Sequence, residues 1–212
     1  MTQTIILPRR ALLLGSAAFA LAGCSDLIGP SSAPVQLYGL KPSGGAPTTG
    51  PKVPWHLSVG VPTATDYLDR SRIALMQPDT SVDYYAGAQW TDHLPVLVQE
   101  ALIEAFEDSG RIDGVAVESD GFKVDYVLEM DLCDFQARYD QPDGIPTAVV
   151  RIAAKIAPTL SHNIASSFQV SHQAQASQNS VGAVVQAMDA ALGQALSEIV
   201  NWALSQPPPL KR

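Results

Sequence analysis

Three acidic residues near the middle of the chain, Glu129, Asp131 and Asp134, are spaced closely enough to suggest a catalytic or metal-binding site. Residues two apart on a strand project to the same face, so Glu129 and Asp131 would suit acid–base work or Ca²⁺ binding. The alternating residues are apolar and would form the opposite, buried face of that strand: Leu128, Met130 and Leu132. The pattern therefore favours the solvent face of a structural strand over a catalytic pair.

Other residue types that carry catalysis or metal binding are not arranged for it. The chain contains no Gly-x-Ser-x-Gly elbow, no Ser three residues before a Lys and no phosphate-binding Gly-x-x-x-x-Gly-Lys loop. No two histidines are three or four residues apart on a common predicted helix, which excludes a helical metal pair. The histidines are His56, His93, His162 and His172. We therefore predict no catalytic residue, no metal and no cofactor, and we interpret Cys133 as a small buried residue.

The N-terminus carries an export signal. The pair Arg9-Arg10 precedes an apolar run over residues 11–22, and the order of these two regions is typical of a signal peptide over residues 1–23. The string Leu21-Ala22-Gly23-Cys24 resembles the bacterial lipobox. That resemblance implies that Cys24 becomes the triacylated first residue of the mature protein, whereas the alternative is an ordinary signal peptide with a chance cysteine. Two or more acyl chains give stable membrane attachment.

The residues around the signal also bear on the export route and on the membrane that holds the protein. Arg9-Arg10 loosely resembles a twin-arginine signal as well, so both the general and the twin-arginine export routes remain open. Ser25, rather than Asp, follows Cys24, and by enterobacterial sorting rules this favours the outer over the inner membrane. We expect a lipid-anchored protein on the periplasmic side of the envelope.

Composition limits the remaining classes. The chain of 212 residues is 46% hydrophobic and 16% charged, which is enough apolar material for a core and argues against disorder. Its formal net charge of -8 repels phosphate backbones, and this disfavours nucleic-acid binding. Two cysteines exclude a disulfide scaffold, and no apolar run reaches the roughly 18–20 residues of a spanning helix.

Hydrophobic periodicity predicts one α+β domain over residues 55–205. It is preceded by a Pro-, Gly- and Ser-rich flexible tether over residues 24–54 and followed by a Pro-rich tail over residues 206–212. Helices are predicted over residues 91–108 and 180–204. Strands are predicted over residues 35–40, 55–61, 71–76, 82–85, 114–118, 126–138, 148–158 and 164–175. This order predicts a single mostly antiparallel sheet with two amphipathic helices packed on one face.

Several strings behind the lipobox occur in the order of a known family. They are Leu37-Tyr38-Gly39-Leu40, then Tyr67-Leu68-Asp69-Arg70, and then Gln89-Trp90-Thr91-Asp92-His93-Leu94. With the terminal amphipathic helix, this order resembles the ABC-type transport auxiliary lipoprotein family, whose members are PqiC-like. The family often has Pro directly beside the second string, whereas here Pro62 stands five residues earlier.

The resemblance implies a periplasm-facing, non-enzymatic docking or bridging subunit of an ABC-type lipid transport system. Its partners would be an MCE-domain periplasmic protein and the associated ABC permease and ATPase, and a homo-oligomer is conceivable. The candidate partner-binding residues are Tyr67, Leu68, Asp69, Arg70 and Trp90. The residues themselves also allow a second interpretation, in which the Tyr-Leu-Asp-Arg string is a turn locked by internal hydrogen bonds and Trp90 packs against the first helix.

Two other functions remain open from the sequence. One is an outer-membrane assembly lipoprotein that acts as a chaperone or structural plug for an envelope complex. The other is an envelope hydrolase, which would need a nucleophile, a base and an oxyanion site brought together by the fold.

The anchor yields a direct prediction. Cys24→Ser removes the thiol that would receive the diacylglycerol, so the variant is expected to accumulate as an unprocessed precursor without acyl chains. Mass spectrometry of the protein extracted from cells measures both the processing and the added mass. An unmodified Cys24 in the wild-type protein would contradict the lipobox interpretation.

Overall fold

The computed structural model describes residues 34–44, 46–161 and 163–208. Cys24 and the predicted signal peptide lie outside the described residues. The chain from Val35 to Arg212 forms one compact unit. Within the described ranges, neither helix combines the length and apolar character needed to cross a bilayer.

The elements follow the predicted order, with nine strands and two helices in the described ranges. The strands are β1 (Gln36–Tyr38), β2 (Val53–Val59), β3 (Thr63–Ala64), β4 (Arg72–Met76), β5 (Val82–Trp90), β6 (Ile112–Val117), β7 (Tyr126–Arg138), β8 (Thr147–Pro158) and β9 (Ser166–Gln175). The helices are α1 (Leu94–Ser109) and α2 (Val181–Leu204). The two-residue β3, a 3-10 turn over Glu118–Asp120 and the second half of β5 were not predicted.

The α+β class is confirmed, but the sheet is mixed. Antiparallel pairing joins β4 to β5, β7 to β8 and β8 to β9. Parallel pairing joins β1 to β5, β2 to β6, and each of β2, β3 and β4 to β7. Parallel partners need long crossover connections and carry no local turn signature, so strand periodicity alone does not reveal them.

Strand β7 is the centre of the sheet. One edge of it pairs in succession with β2, β3 and β4, and the other edge pairs along its whole length with β8. A register shift between Leu132 and Asp134 interrupts the alternation. Before the shift Met130 and Leu132 are buried, whereas after it Phe135 is buried. A bulge of this kind reverses the phase of the strand and re-aims side chains.

Local residue types account for the start of both helices and for the end of α1. Ser180 caps α2, because its side chain accepts a hydrogen bond from the Ala183 amide. Helix α1 starts after His93, without a side-chain cap, and tolerates Pro95 in its first turn. Gly110 ends α1 in the left-handed conformation, with φ of 63°. Helix α1 contacts β6, α2 contacts β7, β8 and β9, and the two helices also contact each other.

Part of the predicted tether is built into the compact unit. Strand β1 pairs with β5, and residues after it line a pocket together with residues of both helices. The Lys41 amide donates to Asp189 Oδ1 at 2.8 Å, and the Ser43 amide donates to the Asp189 carbonyl at 3.2 Å. Further along, Arg111 Nη1 donates to the Pro47 carbonyl at 3.3 Å. Partial burial of Asp189 raises the pKa of its carboxyl group. The predicted boundary at residue 55 therefore differs from the compact unit, which begins at Val35.

The contact of the segment around Ser43 with α2 yields a stability prediction. A Cβ atom at Gly193 of α2 would overlap the carbonyl group of Ser43, so Gly193→Ala is expected to lower the free energy of unfolding by about 1–3 kcal/mol. Gly182→Ala, in the first turn of the same helix, is the matched control because a Cβ there meets no other group. It is expected to leave stability unchanged or to raise it by up to about 1 kcal/mol. Equal effects of the two substitutions in urea unfolding would show that the segment does not sit on α2.

Candidate functional site

The string Tyr67-Leu68-Asp69-Arg70 forms a turn between β3 and β4. The amides of Leu68 and Asp69 both donate to the Thr65 carbonyl, at 2.8 and 2.9 Å, and the Arg70 amide donates to the Leu68 carbonyl at 2.8 Å. These bonds hold the turn in one conformation without help from a partner. This part of the second interpretation of the sequence, a turn that locks itself, agrees with the geometry.

Two of the five candidate partner-binding residues are core residues. Leu68 is 1% exposed and Trp90 is 2% exposed. The Trp90 ring meets Phe135 edge-on, with ring centroids 6.1 Å apart, and its amide donates to the Ser71 carbonyl at 2.7 Å. Side chains this buried cannot reach a docked protein. They pack the turn against the sheet, and only the other three candidate residues have solvent-exposed or half-exposed side chains.

The exposed side of the turn is tied to the start of α1. The Leu94 amide donates to the Arg70 carbonyl at 3.2 Å, and Asp69 Oδ1 lies 3.4 Å from His93 Nδ1. Both Asp69 and His93 are solvent-exposed, so the pair contributes little to stability. The turn and the first residues of α1 thus form one continuous surface.

Arg70 is held by two further contacts. Its Nε donates to the Asp66 carbonyl at 2.6 Å, and its guanidinium carbon lies 5.6 Å from the centre of the Tyr84 ring. Arg72 lies over the same ring, at 3.9 Å. The Tyr84 hydroxyl in turn donates to the Tyr67 carbonyl at 3.3 Å. The sequence alone does not indicate Arg72 and Tyr84, because only the pairing of β4 with β5 brings them together beside the turn.

Tyr67 leans toward the polar face of the central strands. Its pKa is raised, first because its hydroxyl is partly buried and second because the Asp134 carboxylate is near. Asp134 is itself paired with Arg151 of β8, with Oδ2 and Nε 2.5 Å apart. The turn is therefore in electrostatic contact with the polar face of β7 and β8.

Glu129, Asp131 and Asp134 all lie on that polar face. The sequence predicts this for Glu129 and Asp131, whereas the bulge after Leu132 brings Asp134 there. Glu129 is exposed, whereas Asp131 Oδ2 pairs with Lys155 Nζ at 3.0 Å and its other oxygen accepts from the Thr63 hydroxyl. The hydrogen bond from Thr63 and then the Lys155 ammonium group lower the pKa of Asp131. Asp131 and Asp134 thus form ion pairs between β7 and β8 rather than a shared acid–base pair.

The described residues do not form the metal or nucleophile sites that an envelope hydrolase would need. In these ranges no three His, Cys, Asp or Glu side chains come together as metal ligands. Ser58 lies two residues from His56 in β2, and His56 Nδ1 lies 3.4 Å from Asp125 Oδ2. Ser58 Oγ is buried and forms no hydrogen bond within the described residues, so these three residues lack the contact between nucleophile and base that acyl transfer requires.

A comparison with known families matches most of the chain. The model of the family described as the ABC-type transport auxiliary lipoprotein component matches residues 38–200. The matched range includes the whole Tyr-Leu-Asp-Arg turn, α1 and nearly all of α2. The resemblance that the sequence strings predict is thereby confirmed.

Solved structures and a curated relative extend this comparison. A crystal structure of a Xanthomonas campestris protein of the DUF330 family has a TM-score of 0.74 and 27% identity, covering 80% of this chain and 95% of that one. A second crystal structure, of a protein described as uncharacterized, has a TM-score of 0.62 at 16% identity and shares the fold. It covers 81% of this chain and 99% of that one.

A Bradyrhizobium diazoefficiens protein, also described as uncharacterized, is 28% identical over 146 residues, or 69% of this chain. The chain spans 38% of the length of that relative.

The division of the turn into a buried and an exposed side can be tested by substitution. Leu68→Ala removes a fully buried side chain and is expected to lower the free energy of unfolding by about 2–5 kcal/mol. Asp69→Ala, one residue later, is expected to change it by no more than about 0.5 kcal/mol. Thermal or urea unfolding of the two variants measures the difference. A mild effect of Leu68→Ala would mean that the turn does not depend on its core contact.

Proposed function

Because the chain belongs to the ABC-type transport auxiliary lipoprotein family, we propose that it is a lipid-anchored, non-enzymatic docking subunit of a lipid transport system. The partner is an MCE-domain protein of the periplasm that works with an ABC permease and ATPase. The subunit bridges this protein and the membrane that holds Cys24. Ser25 after the lipidated residue favours the outer membrane for that anchor.

The observation that carries the proposal is the construction of the turn over residues 67–70. Its backbone is fixed by four hydrogen bonds, three within the turn region and one from α1, and Leu68 and Trp90 are buried beneath it. Asp69 and Arg70 remain accessible on the outside. A surface that is rigid before binding loses little conformational entropy when a partner docks, and this is the property that a bridging subunit needs.

The place where the compact unit begins also supports an anchored bridge. Only eleven residue steps separate Cys24 from Val35, so even a fully extended chain between them spans no more than about 40 Å. A docking domain on such a connection stays close to the membrane surface. The proposed partner must therefore approach that membrane to meet the turn.

Charge reversal at the turn tests the proposal. Arg70→Glu is expected to weaken association with the MCE-domain partner by about 2 kcal/mol, because it places a carboxylate where a guanidinium would meet the partner. The measurement is co-purification of the partner from membranes of cells that express each variant. Arg138→Glu, a surface charge reversal at the C-terminal end of β7 and outside the turn, is the matched control and is expected to retain the partner.

A thermal melt accompanies each pull-down, since Arg70 also donates to the Asp66 carbonyl. Retained partner together with a lowered melting temperature for Arg70→Glu would refute the docking role and leave Arg70 with an internal one. Co-purification of a β-barrel assembly component instead of the transport partner would favour the outer-membrane assembly function.

A further inference from the structure

Two guanidinium groups converge on one tyrosine beside the turn. The guanidinium carbons of Arg72 and Arg70 lie 3.9 and 5.6 Å from the centre of the Tyr84 ring. We propose that these three residues, the Arg70–Arg72–Tyr84 site, bind a carboxylate group presented by the protein partner. The inference rests on the docking function proposed above and names the chemistry by which the partner is recognised.

The arginines of this site differ from the others that the structure describes. Arg138 pairs with Asp140, and Arg151 pairs with Asp134. Arg111 donates to the side chain of Asn201 at 2.7 Å. By contrast, within the described ranges Arg70 and Arg72 form no hydrogen bond and no ion pair with a side-chain oxygen. In an acidic protein, where carboxylates outnumber cationic groups, two adjacent guanidinium groups without a carboxylate are a specific arrangement.

The site is built before any ligand arrives. Arg70 Nε is engaged by the Asp66 carbonyl, which orients the guanidinium while its two Nη groups form no hydrogen bond within the described residues. Arg72 is oriented by the Tyr84 ring, and the Tyr84 hydroxyl is tied to the Tyr67 carbonyl. A cation over the half-buried Tyr84 ring is attracted to the ring face, which offsets part of the repulsion between the two like charges. An anion between them would remove that repulsion.

The surroundings favour a single carboxylate over phosphate or an anionic membrane. Exposed Asp66 and Asp69 lie on the same turn, and the formal net charge of the whole chain is -8. Both repel a dianionic phosphate or a charged lipid surface more strongly than they repel one carboxylate. The planar guanidinium fork also matches the two oxygens of a carboxylate. The ligand class that fits is therefore an Asp or Glu side chain, or a chain terminus, of a protein.

The test uses the full-length protein in uncharged detergent micelles, with the single-carboxylate peptide acetyl-Gly-Glu-Gly amide as the probe. Nuclear magnetic resonance follows the Nε–H signals of Arg70 and Arg72 while the peptide is added. We expect both signals to shift saturably with the glutamate peptide and to stay in place with the matching acetyl-Gly-Gln-Gly amide. Inorganic phosphate is expected to bind more weakly than the glutamate peptide.

Variants then separate the site from general charge. Arg72→Gln is expected to raise the dissociation constant of the peptide about ten-fold, because it removes charged hydrogen-bond donors. Arg72→Lys is expected to weaken binding as well, since an ammonium group lacks the fork. Arg138→Gln, which loses the same charge outside the site, is expected to bind like the wild type. Arg72 is exposed, so these variants are expected to fold, and a thermal melt checks this.

Each outcome bears on the inference separately from the docking function. Unmoved arginine signals, an equal effect of Arg138→Gln, or tighter binding of phosphate than of the peptide would each overturn the carboxylate site. Specific peptide binding together with an Arg72→Gln variant that still co-purifies the transport partner would keep the carboxylate site and refute its use in docking. A wild-type protein that retains no transport partner would refute the proposed function, whatever the peptide does.

Discussion

The pairing of β7 with four other strands is the constraint on which the rest of the molecule depends. This strand of 13 residues holds β8 on one edge and β2, β3 and β4 in succession on the other. Its bulge between Leu132 and Asp134 turns Phe135 into the core and keeps Asp134 on the outer face. Without that phase change the second half of the strand would place its carboxylate inside and its aromatic ring outside, and burial of an unpaired carboxylate is costly.

The candidate site follows from that arrangement. Phe135, turned inward by the bulge, packs against Trp90, and Trp90 lies beneath the turn over residues 67–70. Asp134, kept outward, pairs with Arg151 and faces Tyr67. The same change of phase therefore places Phe135 in the core under the turn and places the Asp134 carboxylate beside Tyr67. A surface loop gains its rigidity here from a core contact and not from its own sequence alone.

The strings that mark the family contain both core residues and surface residues, and the sequence alone does not tell the two apart. In Tyr67-Leu68-Asp69-Arg70 one residue is core, two are partly exposed and one is fully accessible. Trp90, in the next string, is core, whereas His93 three residues later is on the surface. The proposed docking function therefore draws on a smaller set of side chains than the matching strings contain. It also draws on Arg72 and Tyr84, which lie outside those strings.

Local pattern by itself determined the element order, the α+β class, the polar face of β7 and the left-handed end of α1 at Gly110. Each of these depends on residues within a few positions of one another, through side-chain alternation, helical spacing or a glycine conformation. Only the tertiary structure decided the parallel pairings, the hydrogen bonds of Lys41 and Ser43 to Asp189 of α2, and the meeting of Arg70 and Arg72 over Tyr84. These contacts join segments far apart in the chain. Their energies depend on packing that no single segment encodes, so no local periodicity could predict them.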